Sequence, residues 1–150
     1  MSMIHIRRYL PVDLDQVVEI WHACKRQAFP YVSVQQAYTI DDDRTHFRDV
    51  ISQESQVLLA EKDGKILGLM AIHDDLIDQL FIKVDEQRKG IGSQLVEKAK
   101  ELSPDGLRAY TFQKNIAARS FFGRQGFKVV RSGVSPPPEN EPDLEYMWKP

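Results

Sequence analysis

A single cysteine, Cys24, stands among the 150 residues, so no internal disulfide staples the chain and its fold must rest on an ordinary core. Cys24 falls in an apolar helical stripe, the setting of a buried structural thiol, and fits a reducing compartment. Long apolar runs are missing as well. No stretch approaches the roughly 20 apolar residues that span a bilayer, and Met1 to Tyr9 interleaves His5, Arg7 and Arg8 where a signal peptide needs an unbroken apolar core. A cytoplasmic protein without a membrane partner is expected. Nor does one sign of charge dominate. Twenty basic and 22 acidic residues leave a net charge of -2, which gives nucleic acid no global electrostatic footprint. Any anion site must therefore be local. His5, His22 and His46 are scattered without metal-ligand spacing, so no metal is expected. The hydrophobic share, 42%, suits one domain over residues 1–150 with a core large enough to fold unaided.

Periodicity divides the chain into a mixed α/β order. Ile4 and Ile6 alternate with charged neighbours, which reads as a short first strand. Asp13, with Gln16 three residues on, reads as the capping box of a helix carrying Leu14, Val17, Val18, Trp21, Cys24 and Ala28, ended by Phe29 and Pro30. Tyr31 to Ser52 holds one broken or two short helices around Asp41, Asp42 and Asp43. Gln56 to Lys62 and Lys65 to His73 are β-rich, and Asp63-Gly64 between them is a strong hairpin signal. Ile77 to Val84 is a further strand. A helix bearing Ile91, Leu95, Val96, Ala99 and Leu102 follows, then a strand Leu107 to Phe112 and a helix from near Asn115 to Gly126. Phe127 to Arg131 and Leu144 to Trp148 close the pattern around a loop with Pro136, Pro137, Pro138 and Pro142. One parallel crossover is implied.

The chemistry concentrates at Gln87-Arg88-Lys89-Gly90-Ile91-Gly92, between a strand and a helix. Such a junction points unpaired backbone amides at the positive end of a helix dipole, a geometry that binds phosphate. Gly90 and Gly92 let the main chain approach an anion without a Cβ, and Arg88 and Lys89 add charge. The run is not a Walker loop, for the Gly-Lys-Ser/Thr ending is missing. It also lacks the third glycine of the dinucleotide fingerprint.

This loop resembles the phosphate loop of the GNAT acetyltransferase superfamily, Gln/Arg-x-x-Gly-x-Gly/Ala after the fourth strand. Further along, Asn115-x-x-Ala118-x-x-Phe121-Phe122 with Gly126-Phe127 resembles that family's Asn-x-x-Ala-x-x-Phe-Tyr and closing Gly-Phe. The resemblance covers Gln56 to Arg131 well and most of the chain by element order, and looks closest to small bacterial protein or peptide N-acetyltransferases. It implies a GNAT fold: a mostly antiparallel twisted sheet of six to seven strands with a splayed parallel pair and about four helices. It also implies transfer of an acetyl group from acetyl-CoA to a primary amine, directly, in a ternary complex. By resemblance, the main chain of Leu80, Phe81 and Ile82 would hold the pantetheine arm, with amides near Phe81 and Ile82 receiving the oxyanion. Arg88, Lys89, Gly90, Ile91, Gly92 and Ser93 would hold the pyrophosphate, and Asn115 and Phe122 would touch the cofactor.

Two positions depart from the family pattern. Phe122 stands where many relatives place a Tyr that protonates the leaving thiolate, and Tyr110 stands where close relatives place an acidic base five residues before the Asn. Tyr110 itself and Asp78 are the candidate catalytic groups, with His73, Asp74 and Asp75 as further acids and bases near the substrate edge. By the same resemblance, Phe29, Pro30, Tyr31, Tyr38 and Asp41–Asp43 would lie in the family's substrate-side region, and with Glu139, Glu141 and Asp143 they would form an acidic rim suited to a cationic amine. A small molecule or a protein or peptide would be the acceptor, and the chain a monomer or homodimer. The rivals are a non-catalytic CoA-binding or regulatory module of the same fold and a nucleotide-binding α/β protein.

Overall fold

A computed structural model describes residues 3–150; Met1 and Ser2, at the head of the segment read above for a signal peptide, lie outside it. Among the described residues seven strands form one sheet: β1 (His5–Arg8), β2 (Gln56–Lys62), β3 (Lys65–His73), β4 (Leu76–Ile82), β5 (Leu107–Phe112), β6 (Lys128–Val134) and β7 (Pro142–Trp148), in the order β1-β2-β3-β4-β5-β7-β6. All neighbours run antiparallel except β4 and β5. The helices are α1 (Leu14–Ala28), α2 (Ser33–Ala37), α3 (Ile40–His46), α4 (Ser52–Glu54), α5 (Ile91–Leu102) and α6 (Ile116–Arg124).

Alternation along the strands splits the core in two. One side chain set, among them Leu58, Met70, Ile77, Leu107, Ala109 and Tyr146, packs under α5 and α6 with Leu95, Val96 and Phe122. The opposite set, including Leu59, Leu69 and Ala71, packs under α1 with Val17, Val18 and Trp21 and under Phe47 and Ile51. The β2–β3 hairpin turns at Asp63 and Gly64, with φ +52° and +76°; positive φ at both central residues matches the right-handed strand twist. Asp-Gly is what such a turn requires.

The expected capping box at Asp13 is not formed. Pro11–Asp13 is a single 3-10 turn, and Asp13 turns inward, 5% exposed, to accept two hydrogen bonds of 2.9 Å from the Arg7 guanidinium and one of 2.8 Å from the Leu10 amide. A bidentate charged partner on β1 outcompetes a neutral helix amide. The Arg7 bonds hold the Asp13 carboxyl below its ordinary pKa. The true capping box lies in the weakly patterned region: Thr39 Oγ1 accepts from the Asp42 amide at 3.1 Å, and Asp42 accepts from the Thr39 amide at 2.8 Å. Phe47–Ile51 then widens into a π turn that carries α3 toward β2 and buries Phe47 and Ile51.

Candidate active-site cleft

β4 and β5 share two register pairs, Leu76 with Arg108 and Ile77 with Ala109, and then part. Parallel neighbours that diverge leave backbone groups with no ladder partner. The phase of the β3–β4 ladder says which ones. Lys83 N–H donates to Leu67 C=O at 2.8 Å, which places Phe81 and Gln79 in bonding phase toward β3. Leu80 and Ile82 therefore turn their amides and carbonyls into the gap. Of the three strand residues expected to offer main-chain groups, Phe81 is directed the other way, its ring packed on the α1 side. The Ile82 carbonyl already accepts from Gln87 Nε2 at 3.0 Å and from the Cys24 thiol at 3.1 Å. Cys24 is 2% exposed, and burial pushes its thiol up to about 11. It is a structural group.

Gly90 begins α5 with φ +84°, preceded by Arg88 at φ +64°. The positive φ explains Gly90, since nothing lies within 4 Å of where its Cβ would stand. Gly92 has a different reason. A Cβ there would meet the Phe121 ring at 3.0 Å, so its first constraint is α5–α6 packing. The first-turn amides, from Ile91 to Ser93, have no intrahelical acceptor; the helical ladder starts at Gln94 N–H to Gly90 C=O, 3.2 Å. Lys89 pairs with Glu86 at 3.1 Å, and Ser93 Oγ accepts from Gln125 Nε2 at 2.9 Å. Asn115 Oδ1 accepts from the Ala118 amide at 3.2 Å, capping α6 on the rim of the cleft. Phe122 is 6% exposed, with Phe121, Phe127 and Tyr146 around it at ring distances of 5.3, 5.1 and 5.9 Å.

The gap opens on a cleft of about 830 Å³. Its helical wall is Trp21 and Lys25 of α1 and Asp43 and His46 of α3; its sheet wall is Tyr110 of β5, Arg131 of β6 and Glu145 of β7. Asp78 reaches the cleft because Ala71 faces Gln79 while Ile72 faces Ile77, which leaves Asp78 as the extra residue of a bulge. Tyr110 is 48% exposed to the same space. Trp21 Nε1 donates to Gln79 Oε1 at 3.0 Å and stacks on His46 at 6.0 Å.

The acidic rim read from the sequence is rearranged. Asp43 is buried and bonded to Lys25 Nζ and His22 Nδ1, both at 2.7 Å, and Asp42 serves the Thr39 cap. Lys25 sits 3.6 Å from the Trp21 ring centroid, and burial lowers its pKa. Glu139 bonds Gln35 at 3.0 Å, tying the proline-rich loop to α2. His73 and Asp74 stay outside the cleft: His73 Nδ1 lies 2.7 Å from the Glu54 carbonyl, and Asp74 is a turn residue at φ +53°. Asp75 is held by Arg108 at 3.0 Å. Glu145, which sequence reasoning passed over, is buried in the sheet wall. Its one signal was parity, an acid between the core residues Leu144 and Tyr146.

A mixed sheet split at one parallel pair, with a helix N-terminus beside the split, defines the class of α/β domain. The same architecture recurs in solved structures: the apo form of YjaB from Escherichia coli, at TM-score 0.77 and 24% identity over 97% of each chain, and the PaiA N-acetyltransferase from Thermoplasma acidophilum in complex with coenzyme A, at TM-score 0.77 and 20% identity over 99% of each. Among curated proteins, the peptidyl-lysine N-acetyltransferase YjaB of Salmonella typhimurium is 30% identical over 85% of this chain and 86% of its own length. The peptidyl-lysine N-acetyltransferase YiaC of Escherichia coli is 28% identical over 83% and 84%. Residues 25–135 match the family model described as an acetyltransferase (GNAT) domain. The chain belongs to the GNAT acetyltransferase family, and is an acyltransferase that moves acetyl groups from acetyl-CoA to nitrogen.

Proposed function

We propose that the chain acetylates a cationic primary amine, on a peptide or a small molecule, by direct transfer in the cleft between β4 and β5. The observation that carries this reading is the break of the β4–β5 ladder after two pairs, beside an uncapped helix N-terminus. The residues fit the donor. Leu80, with the amide of Ile82, offers strand-like backbone groups to an amide-bearing arm, and the amides of Ile91 to Ser93, with Arg88 and Lys89 nearby, suit a diphosphate. Bound acetyl-CoA supplies an activated acyl group on a thiol of pKa ~8.5, a tolerable leaving group near neutrality.

The chain's own residues supply the rest. The Leu80 and Ile82 amides are the donors for the developing oxyanion. Phe122 carries no proton to give, so the leaving thiolate takes its proton from water. Tyr110 and Asp78 flank the acceptor's approach, and Asn115 braces the end of the gap. The lining counts six carboxylates, Asp42, Asp43, Asp78, Glu139, Asp143 and Glu145, against the cations Lys25 and Arg131. With Lys25 consumed by Asp43, that balance draws a positively charged acceptor. The peptidyl-lysine relatives support a lysine side chain as one such acceptor.

Release of free thiol from acetyl-CoA over a panel of lysine peptides, polyamines and amino acids tests the reading. Turnover is expected with cationic primary amines. Tight acetyl-CoA binding with no thiol release on any amine would instead identify a CoA-binding module. Gly92→Glu, which sets a carboxylate at the helix start and crowds Phe121, is expected to lower acetyl-CoA affinity about tenfold or more; unchanged affinity in calorimetry would remove the phosphate role from this loop.

A further inference from the structure

The sheet wall holds one group that neither the phosphate loop nor the family motifs use. Glu145 lies in the middle of β7, between Leu144 and Tyr146, whose side chains enter the core under α5 and α6. Alternation turns Glu145 to the opposite face, into the cleft. It is only 6% exposed, and its Oε1 makes no hydrogen bond. Arg131, which faces it across the β6–β7 ladder, forms an ion pair with that oxygen at 3.6 Å but no hydrogen bond, and its side chain is largely exposed. Its charge is nonetheless felt: desolvation and Glu145 together raise the pKa of Asp143 on the same strand. Asp13 and Asp43, comparably buried, are both satisfied by short bonds to cations. A buried carboxylate lacking such a partner is costly, and persists where a ligand completes it.

Register says what it is placed to do. Glu145 faces Tyr110 directly across the β5–β7 ladder. Facing side chains in such a pair stand ~5 Å apart at Cβ. Tyr110 holds the position at which the resemblance leads one to expect an acidic base, so the carboxylate absent from β5 is present one strand over.

We propose that Glu145 is a catalytic residue which receives the acceptor's amine and takes its proton, a role moved from β5 to β7. This rests on the transferase reading above. The acceptor enters as an ammonium, held by the carboxylate where no protein cation competes within bonding distance, and loses one proton to water before it attacks. As the neutral nitrogen bonds to the acetyl carbon, its acidity rises sharply and its second proton passes to Glu145. The C–S bond breaks with its electron pair on sulfur, the thiolate takes a proton from water, and Glu145 returns its proton to solvent. One amide and one thiol form, and one proton is released. Tyr110, Arg108, Arg131 and Asp143 are the ionisable groups on the neighbouring strand positions, and Asp78, Lys25, Asp43, His46 and Glu139 line the same cleft.

The test uses the whole chain saturated with CoA, titrated calorimetrically with a lysine-containing tripeptide and with spermidine, alongside acetyl-CoA turnover. Glu145→Gln is expected to weaken binding of the better amine at least about tenfold and to lower kcat/KM by about 10²-fold, with acetyl-CoA affinity within about twofold. Glu145→Asp, which keeps the charge and guards against misfolding of the first variant, should recover part of both. Wild-type amine affinity and turnover in Glu145→Gln overturn the inference, as does a wild type that binds neither amine. Amine binding that depends on Glu145 in a protein that releases no thiol counts against the transferase reading alone.

Discussion

The two walls of the cleft bury acids in opposite ways. On the helical wall, Asp43 is closed on both sides by Lys25 and His22, and Lys25 is further covered by the Trp21 ring. On the sheet wall, Glu145 is as deeply buried with an oxygen that nothing bonds. The helical wall spends its charges on its own cohesion, whereas the sheet wall keeps one in reserve. Burial alone therefore says little about whether a charge is structural, and the completeness of its partners says a great deal.

The largest expected effect comes from opening the closed wall. Lys25→Met leaves Asp43 buried with His22 alone and should cost about 3 kcal/mol in denaturant unfolding, the usual consequence of stranding one member of a buried ion pair. A loss under about 1 kcal/mol would place the two walls on the same footing. Asp13→Asn, which weakens the bidentate Arg7 contact, should cost about 2 kcal/mol. The pH dependence of stability has the matching sign: the Asp13 carboxyl is depressed by Arg7, so its contribution is complete above pH ~4 and disappears as pH falls below that value. Asp13→Asn should flatten this acid limb.

The open wall should behave inversely. Glu145→Gln removes a buried charge without a bonded partner, and the folded state should gain about 1 kcal/mol while activity falls, a trade seen where function retains a strained group. A loss of stability would mean that Arg131, despite its 3.6 Å separation, satisfies the carboxylate. Phe122→Tyr should leave acetyl-CoA affinity unchanged and preserve or raise turnover by up to about tenfold; loss of cofactor binding would show that the Phe122 pocket, ringed by Phe121, Phe127 and Tyr146, cannot take a hydroxyl. Smallest of all, Cys24 should resist iodoacetamide at pH 8 in the native protein and react fully once unfolded, since burial holds its thiol up at about 11.

The elements written most plainly in the sequence were those whose stabilising contacts are local. The strands Gln56–Lys62 and Lys65–His73, joined by the Asp63-Gly64 turn, appear with the bounds the sequence predicts; Leu107–Phe112 does too, although its partners lie far along the chain. The Asn115 start and Gly126 end of α6 were legible for the same reason. The segment between α1 and β2 was not, because its shape is imposed from outside: Phe47 and Ile51 are drawn under the sheet through a π turn, and Thr39 offers a cap that competes with several nearby aspartates. Asp13 was misread because its Arg7 partner comes from another element. The Gln87 to Gly92 run was legible as a glycine-bearing helix start, yet half of its glycine pattern answers to packing, through Phe121. Glu145 was invisible in one dimension. An acid on the non-core face of a closing strand reads as solvated, and only the walls around it make it buried.

At the foot of the split, Asp75 and Arg108 are joined twice, by the Arg108 amide to the Asp75 carbonyl at 2.7 Å and by the guanidinium to the carboxylate at 3.0 Å. With the Arg108 side chain 33% and that of Asp75 47% exposed, the ion pair adds little to the stability of the fold. Its importance is mechanical. The two jaws of the sheet share just two rungs of ladder, and this joint is the fulcrum from which they diverge. Beyond it the seven residues of β4 and the six of β5 share no further register pair, so the last bonds that join the two jaws directly lie at the end of the strands farthest from the mouth.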